Sequence, residues 1–287
     1  MNFKTLTGVS EKDILDVFNL SFSDYFIPLK LTADQLATKM ISDNVDLSLS
    51  VGVFENGQLI AFILHGFNRI EGRNRLYNGA TGVVPTKRGQ GLTCKMYDFI
   101  LPTLKERHIN TLVLEVISKN IQAIKSYKRS GYSLVRGLLC YRGTLKSLPI
   151  NEELEIKIID QYDWNKMVSF WDFSPTAQNS KLSINKLRST VQLSGAFHEN
   201  QMVGYMIYNP KSQRLQQIAV MKNFRKKRVA STLIQKLSAE YGTSLVVINV
   251  DKGNQPINDF FEKIGLACFI EQVEMKREIA VENMEKE

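Results

Sequence analysis

The chain has 287 residues, 44% of them hydrophobic and 23% charged, which is the composition of an ordinary soluble globular protein. This length suits two domains, each large enough to bury its own core. No hydrophobic run is long enough to cross a bilayer, and residues 1–4 lack the apolar segment of a secretory signal. We therefore expect a cytoplasmic protein with no membrane partner.

The formal net charge is +8, and most of the basic excess lies in residues 1–146, which hold 19 basic and 12 acidic side chains. These basic residues are dispersed and lack interleaved aromatics, so we expect no nucleic-acid partner. An anionic cofactor or a solvated surface accounts for the same charge. Cys94, Cys140 and Cys268 show no paired spacing, so we expect neither a bound metal nor a disulfide framework.

Hydrophobic periodicity in the first half predicts alternating helices and strands. Ser10, with Asp13 three residues later, is typical of a helix N-terminus. The predicted elements are helical segments within 10–42, a hairpin at 52–64, a strand near 76–84, a helix at 90–106, a strand at 112–117, a helix at 121–129 and closing strands at 132–143.

The second half repeats the first. Residues 52–64 align without gaps against residues 195–207, and both read as two apolar strands around a polar turn. The correspondence continues at a slightly shorter offset, with Val83 against Val220, Arg88 against Arg225, Asn120 against Asn254, Tyr127 against Phe261, and Gly131 against Gly265. The chain is therefore predicted to be a tandem duplication of one α/β unit.

The second repeat carries its predicted elements in the same order. They are a helical segment at about 160–192, a hairpin at 195–208, a strand at 214–220, a helix at 225–241, a strand at 244–250, a helix at 255–264 and a strand at 267–277. Residues 145–153, with Pro149 and polar neighbours, are typical of a linker. The sequence thus predicts one domain at 1–146 and a second at 147–287.

Two segments of the first repeat suggest a binding function. Residues 82–93 run from a β-branched strand through a glycine-containing turn into a helical pattern, which favours phosphate binding at the helix N-terminus. Residues 120–132 then read Asn-x-x-Ala-x-x-x-Tyr-x-x-x-Gly-Tyr. Together these segments resemble the acetyl-CoA-binding and product-release motifs of the GNAT N-acetyltransferase superfamily.

The resemblance implies an α/β (α+β) fold of two tandem units, each a mixed, mostly antiparallel sheet flanked by helices. It also implies acetyl-CoA as co-substrate. Backbone N–H groups of one loop would hold its pyrophosphate; these belong to Arg88, Gly89, Gln90, Gly91, Leu92 and Thr93. Val83 and Asn120 would contact the pantetheine arm and thioester. Thr93 departs from the family pattern, which has Gly or Ala there.

Tyr127 matches the family tyrosine that protonates the departing thiolate, a task that a phenol pKa of about 10 suits. The general base is not fixed in the family. Glu115 on the strand before Asn120 is our candidate, with Asp24 and His65 as alternatives. Each of these three is also consistent with a solvated, paired or purely structural side chain.

At the positions of Gly91 and Tyr127 the second repeat has Arg228 and Phe261. We expect the arginine to obstruct the pyrophosphate, and phenylalanine has no proton to donate. The second domain is therefore interpreted as a degenerate unit that is structural or completes the acceptor site.

The predicted activity is direct acetyl transfer to a primary amine of a small-molecule or peptide acceptor, in the first domain of a monomer or homodimer. The alternative is a non-catalytic acyl-CoA-binding or protein-interaction module.

Overall fold

A computed structural model describes residues 1–70 and 72–280, and its contacts divide the chain into two compact units. Unit 1 contains residues 1–135 together with the stretch from Val273 onward, and unit 2 contains Arg136–Gln272. Each unit is a mixed, mostly antiparallel sheet flanked by helices, as the fold class predicts. Within the described residues, no helix is both long enough and apolar enough to span a bilayer.

In the first half of the chain, the described residues form six strands and four α-helices. The strands are β1 (Asn2–Thr5), β2 (Val51–Glu55), β3 (Gln58–Ile70), β4 (Arg73–Val83), β5 (Ile109–Ile117) and β6 (Ser133–Thr144). The helices are α1 (Glu11–Ser21), α2 (Ala33–Ser42), α3 (Leu92–Glu106) and α4 (Ile121–Arg129). Ser10 caps α1 as predicted, because its side chain accepts the Asp13 N–H at 3.1 Å.

The second half forms the same order of elements. The strands are β7 (Glu155–Ile158), β8 (Gln192–His198), β9 (Gln201–Asn209), β10 (Arg214–Val220), β11 (Ser244–Asp251) and β12 (Leu266–Glu278). The helices are α5 (Trp164–Ser169), α6 (Lys181–Lys186), α7 (Val229–Tyr241) and α8 (Gln255–Lys263).

The predicted bounds of two helical segments were wrong. The segment expected to be helical at 160–192 contains two α-helices of six residues each and two short 3₁₀ helices. Its other residues are not helical. The helix expected from residue 225 begins at Val229, because Lys226 and Arg228 adopt left-handed backbone conformations that a right-handed helix excludes.

The strands of each unit include part of a strand from the other half of the sequence. Unit 1 has the order β1-β2-β3-β4-β5, followed by the part of β12 from Val273. Thr111 on β5 donates its hydroxyl to Glu278 on β12 at 2.8 Å. Unit 2 has the order β7-β8-β9-β10-β11, followed by the part of β6 from Arg136 and the first part of β12.

One pair of parallel strands in each unit separates toward its carboxyl end. The register of β4 with β5 ends at Tyr77 and Val113, although β4 continues to Val83. The register of β10 with β11 covers only Arg214 and Leu215. A bulge lies just beyond, at Gly79 in β4 and at Gln216 in β10. Both strand pairs therefore open a cleft at a matching place in the repeat.

Candidate active site

A loop at the carboxyl end of β4 leads into the N-terminus of α3. Gly89 and Gly91 have φ of 78° and 70°, and a Cβ at either position would meet no atom within 4 Å. Gly91 is the N-cap of α3 and supplies no side chain to cap it. The first N–H groups of α3 have no partner within the helix and lie at the positive end of its dipole. This loop therefore fits a phosphate group without rearrangement.

The Arg88 side chain anchors the loop. Its guanidinium pairs with both carboxylate oxygens of Asp24 at 2.7 Å, and it also donates to the carbonyls of Ser21 and Val83 at 2.8 and 3.3 Å. The hydrogen bond to Arg88 lowers the pKa of Asp24. Asp24 is thus held as an ion-paired carboxylate, which makes it a weaker base than Glu115.

Tyr127 lies within a network of hydroxyl and amide groups. Asn78 Nδ2 donates to Thr81 Oγ1 and to the Tyr97 hydroxyl, both at 2.8 Å, and the Tyr132 hydroxyl donates to that of Tyr97 at 2.9 Å. The Tyr127 ring packs edge-on against Tyr132 at 5.7 Å. Burial raises the pKa of Tyr127 to about 12, although hydrogen bonds with Thr81 and Asn78 oppose the shift. The phenol is therefore a protonated donor at neutral pH.

Asn120 is the N-cap of α4, at the carboxyl end of β5. Its Oδ1 accepts the Ala123 N–H at 3.1 Å, and its side chain also hydrogen-bonds Tyr25. Asn120 thus fixes the start of the helix that carries Tyr127.

Glu115 lies on β5, on the face opposite the core residues Leu114 and Val116. Its Oε2 is buried and has no hydrogen-bond partner in residues 1–70 and 72–280. Burial raises the pKa of Glu115 to about 7; a hydrogen bond with Tyr77 opposes the shift and the nearby Glu274 carboxylate adds to it. A carboxylate that titrates near neutrality is suited to general-base catalysis.

His65 is fully buried, and its Nδ1 contacts the Leu49 carbonyl at 2.8 Å. Burial lowers the pKa of His65 to about 4. The ring is therefore neutral at physiological pH and is held by a backbone contact inside the core. Among the described residues, no group of three or more His, Cys, Asp or Glu side chains is placed to hold a metal ion.

The second repeat preserves the backbone of the loop. Arg225 donates to the carbonyls of Val220 and Phe170 and pairs with Asp172 at 3.0 Å, which reproduces the contacts of Arg88. Lys226 and Arg228 have φ of 59° and 62°, close to the values at Gly89 and Gly91. Their side chains are thus added to a loop of unchanged shape.

The polar groups around Tyr127 are absent from the second repeat. The offset that aligns Asn120 with Asn254 places Asn249 at the position of Glu115. By the two offsets of the repeat, the positions of Asn78, Thr81, Tyr97, Tyr127 and Tyr132 are occupied by Leu215, Ile218, Ile234, Phe261 and Leu266. Of this set, sequence reasoning assigned a role only to Tyr127. Tyr132 was noted as the end of the motif, and the others were missed because such residues resemble core positions. Extending the repeat alignment would have revealed the polar set.

The sequence profile of the acetyltransferase (GNAT) family matches residues 14–132 and 158–266, more than half of the chain. Several solved structures have a similar fold. A GCN5-related N-acetyltransferase from Sphaerobacter thermophilus is 14% identical, with 96% of this chain and 95% of that chain covered and a TM-score of 0.72. A tandem GNAT protein from the clavulanic acid biosynthesis pathway is 12% identical, with 96% and 98% covered and a TM-score of 0.70.

A third similar structure is a putative acetyltransferase from Pyrococcus horikoshii, 12% identical, with 98% of this chain and 90% of that chain covered and a TM-score of 0.68. At these identities the likeness is one of fold. No curated protein matches the chain in sequence.

Proposed function

Because the chain belongs to the acetyltransferase (GNAT) family, and is an acyltransferase, we propose that it transfers the acetyl group of acetyl-CoA directly to a primary amine, with its active site in the first repeat. The acceptor is a small molecule or a peptide. One observation carries the placement in the first repeat. Gly91, Glu115 and Tyr127 combine an open anion site, a base and an acid there, and the second repeat replaces them with Arg228, Asn249 and Phe261.

The loop from Arg88 to Thr93 would hold the pyrophosphate of acetyl-CoA. Its backbone N–H groups supply the hydrogen bonds, and the α3 dipole favours the negative charge. Arg88 acts on the shape of the loop, since its guanidinium is engaged by Asp24. Gly91 allows close approach because no side chain intervenes.

The pKa values of Glu115 and Tyr127 suit them to two proton transfers in this reaction. Glu115 accepts the proton that the acceptor ammonium group must lose before its nitrogen can attack the thioester carbonyl. Tyr127 donates its phenolic proton to the sulfur as the carbon–sulfur bond breaks. With a pKa of about 12, Tyr127 remains fully protonated before that step, so each turnover begins with the donor loaded.

The Tyr127→Phe variant tests this function. Steady-state release of free CoA is measured with a panel of primary amines, and acetyl-CoA binding is measured separately by calorimetry. We expect kcat to fall by at least about 100-fold, since general acid catalysis contributes that much, while the Kd for acetyl-CoA stays within a factor of about two.

Phe261→Leu is the matched control at the same position of the second repeat. It should leave turnover unchanged. Turnover that survives Tyr127→Phe would contradict the assigned acid. If the wild-type protein binds acetyl-CoA but acetylates no amine in the panel, the alternative of a non-catalytic acyl-CoA-binding or protein-interaction module is favoured.

A further inference from the structure

Unit 2 contains a cavity of about 980 Å³ within the cleft between β10 and β11. It is bordered by the start of α7, by α8 and by the segment after α5, and its apolar lining includes Phe170, Trp171, Leu215, Ile218, Val247 and Phe260. This volume lies at the upper end of the range for small-molecule sites. The cavity is thus large enough for a ligand longer than an acetyl group.

The apolar wall arises at the positions where the first repeat is polar. Leu215, Ile218 and Phe261 all line the cavity, and they occupy the repeat positions of Asn78, Thr81 and Tyr127. Substitution of amide and hydroxyl groups by hydrocarbon removes the partners that a polar ligand needs. The same substitutions favour burial of a hydrocarbon chain.

The rim of the cavity attracts anions. Lys226, Arg228 and Lys263 line it, and no ion pair is recorded for them within the described residues. Of the two acidic lining residues, Asp172 is ion-paired with Arg225 at 3.0 Å, whereas Asp259 accepts a hydrogen bond from the Gln255 amide at 2.5 Å and keeps its charge. The four basic lining residues, which include Arg225, still outnumber these two carboxylates. The N-terminus of the 13-residue helix α7 opens on the same rim and has no side-chain cap.

We infer that the second repeat is a non-catalytic binding site for a long, unbranched acyl chain with an anionic head. The chain lies in the apolar cavity, and the head lies at the rim beside Lys226, Arg228 and the N-terminus of α7. The head is the carboxylate of a free fatty acid. No bond is made or broken, since neither Phe261 nor Asn249 can exchange a proton as Tyr127 and Glu115 do.

The two tryptophans of the chain, Trp164 and Trp171, both lie in unit 2, and Trp171 lines the cavity. The Trp164→Phe variant therefore makes Trp171 emission a reporter of this site alone. It is titrated with dodecanoate, dodecanoyl-CoA, dodecanol and acetyl-CoA. We expect a saturable change with dodecanoate, and at least tenfold weaker binding of dodecanol and acetyl-CoA. Dodecanoyl-CoA that binds more tightly than dodecanoate would overturn the assignment of the head.

Ala230 lines the cavity in the first turn of α7, and Ala230→Phe places a large side chain there. Thr93→Phe places the same side chain at the matching position of the first repeat, as a control. In the Trp164→Phe background, Ala230→Phe should weaken binding of the chain at least tenfold, and Thr93→Phe should not. The double variant Lys226→Glu, Arg228→Glu, at two exposed positions, gives a second reading. It should weaken binding of the anionic ligands and leave dodecanol unaffected.

The inference is overturned if no long-chain ligand changes Trp171 emission saturably, or if Thr93→Phe weakens binding as much as Ala230→Phe. Acetyl-CoA that binds this cavity as tightly as the long-chain ligands would also overturn it, and would move the proposed active site to the second repeat. This inference and the proposed function are tested by separate readouts, since chain binding reports on unit 2 and amine acetylation reports on the first repeat. Loss of acetylation in Thr93→Phe with chain binding intact supports both.

Discussion

Two side chains in the first repeat have environments that match opposite proton-transfer roles. Tyr127 is surrounded by neutral hydroxyl and aromatic groups, so burial stabilises its protonated form and raises its pKa to about 12. Glu115 is half-buried, with its Oε2 shielded from solvent; this burial and the nearby Glu274 carboxylate raise its pKa to about 7. At neutral pH one group therefore holds its proton firmly and the other exchanges its proton readily.

The Glu115→Gln variant tests the base through its pH profile. The wild-type kcat/KM for the amine should rise through about pH 7 as Glu115 loses its proton. In the variant this limb should disappear and kcat/KM should fall by roughly 100-fold, because an amide cannot accept the proton. A profile that keeps the limb near pH 7 would show that another group is the base.

Glu115 also predicts a stability effect that does not depend on turnover. Its pKa is raised from 4.5 to about 7, so between these values the folded state keeps a proton that the unfolded state has lost. The free energy of unfolding of the wild type should therefore fall as pH rises through this window. Urea titrations at pH 4 and pH 8 should show Glu115→Gln gaining up to about 3 kcal/mol on the wild type at the higher pH. Parallel pH dependences would contradict the assigned burial of the charge.

At the scale of elements, the loops before α3 and α7 show one backbone built from different residues. Gly91 and Arg228 are both left-handed N-caps, with φ of 70° and 62°. Glycine adopts this conformation freely, whereas a residue with a Cβ is strained in it. Arg228 adopts the left-handed conformation despite this backbone strain, and its guanidinium donates to the Ile150 carbonyl at 3.4 Å.

Reciprocal substitutions at these caps should therefore have opposite effects. Gly91→Ala should lower the free energy of unfolding by about 1 kcal/mol, because the added Cβ strains the left-handed backbone without meeting a neighbour. Arg228→Gly should raise it by up to about 1 kcal/mol, less whatever the contact with Ile150 contributes. Chemical denaturation measures both values. Shifts of the same sign would show that the two loops differ in conformation.

The sequence predicts elements with strong periodicity and misses those defined by tertiary contact. The hairpins, α4 and β10 follow from local patterns of apolar residues and turns. β1 and β7 are four-residue strands whose formation depends on pairing with β2 and β8, so no local signal marks them. The start of α7 was placed too early because Lys226 and Arg228 are residue types that give no indication of a left-handed backbone.

The candidate site divides in the same way. Gly91 and Tyr127 were identified because they belong to short motifs with fixed spacing. Tyr132 ends the same motif but was given no role, and Tyr97 was missed, because their hydroxyl groups meet across α3 and the segment after α4. The pKa of Glu115 is raised chiefly by burial, and Glu274, 159 positions later in the chain, adds to the shift. No local pattern can reveal either the burial or such a neighbour.

For the molecule as a whole, duplication has produced two units with one backbone plan and different interiors. The first repeat retains an open glycine loop and polar groups that can transfer protons. The second retains the loop conformation and the diverging strands, and it contains a cavity with a largely apolar lining. The proposed division of labour, with acetyl transfer in the first repeat and recognition of an acyl chain in the second, accounts for both sets of residues.

The most direct test is calorimetric titration with acetyl-CoA of the wild type, Gly91→Arg and Arg228→Gly. Arg228 shows that arginine can occupy this left-handed cap in a folded repeat, so Gly91→Arg should fold and obstruct only the loop. We predict one site in the wild type, its loss in Gly91→Arg and its retention in Arg228→Gly. Binding that persists in Gly91→Arg would contradict an active site in the first repeat.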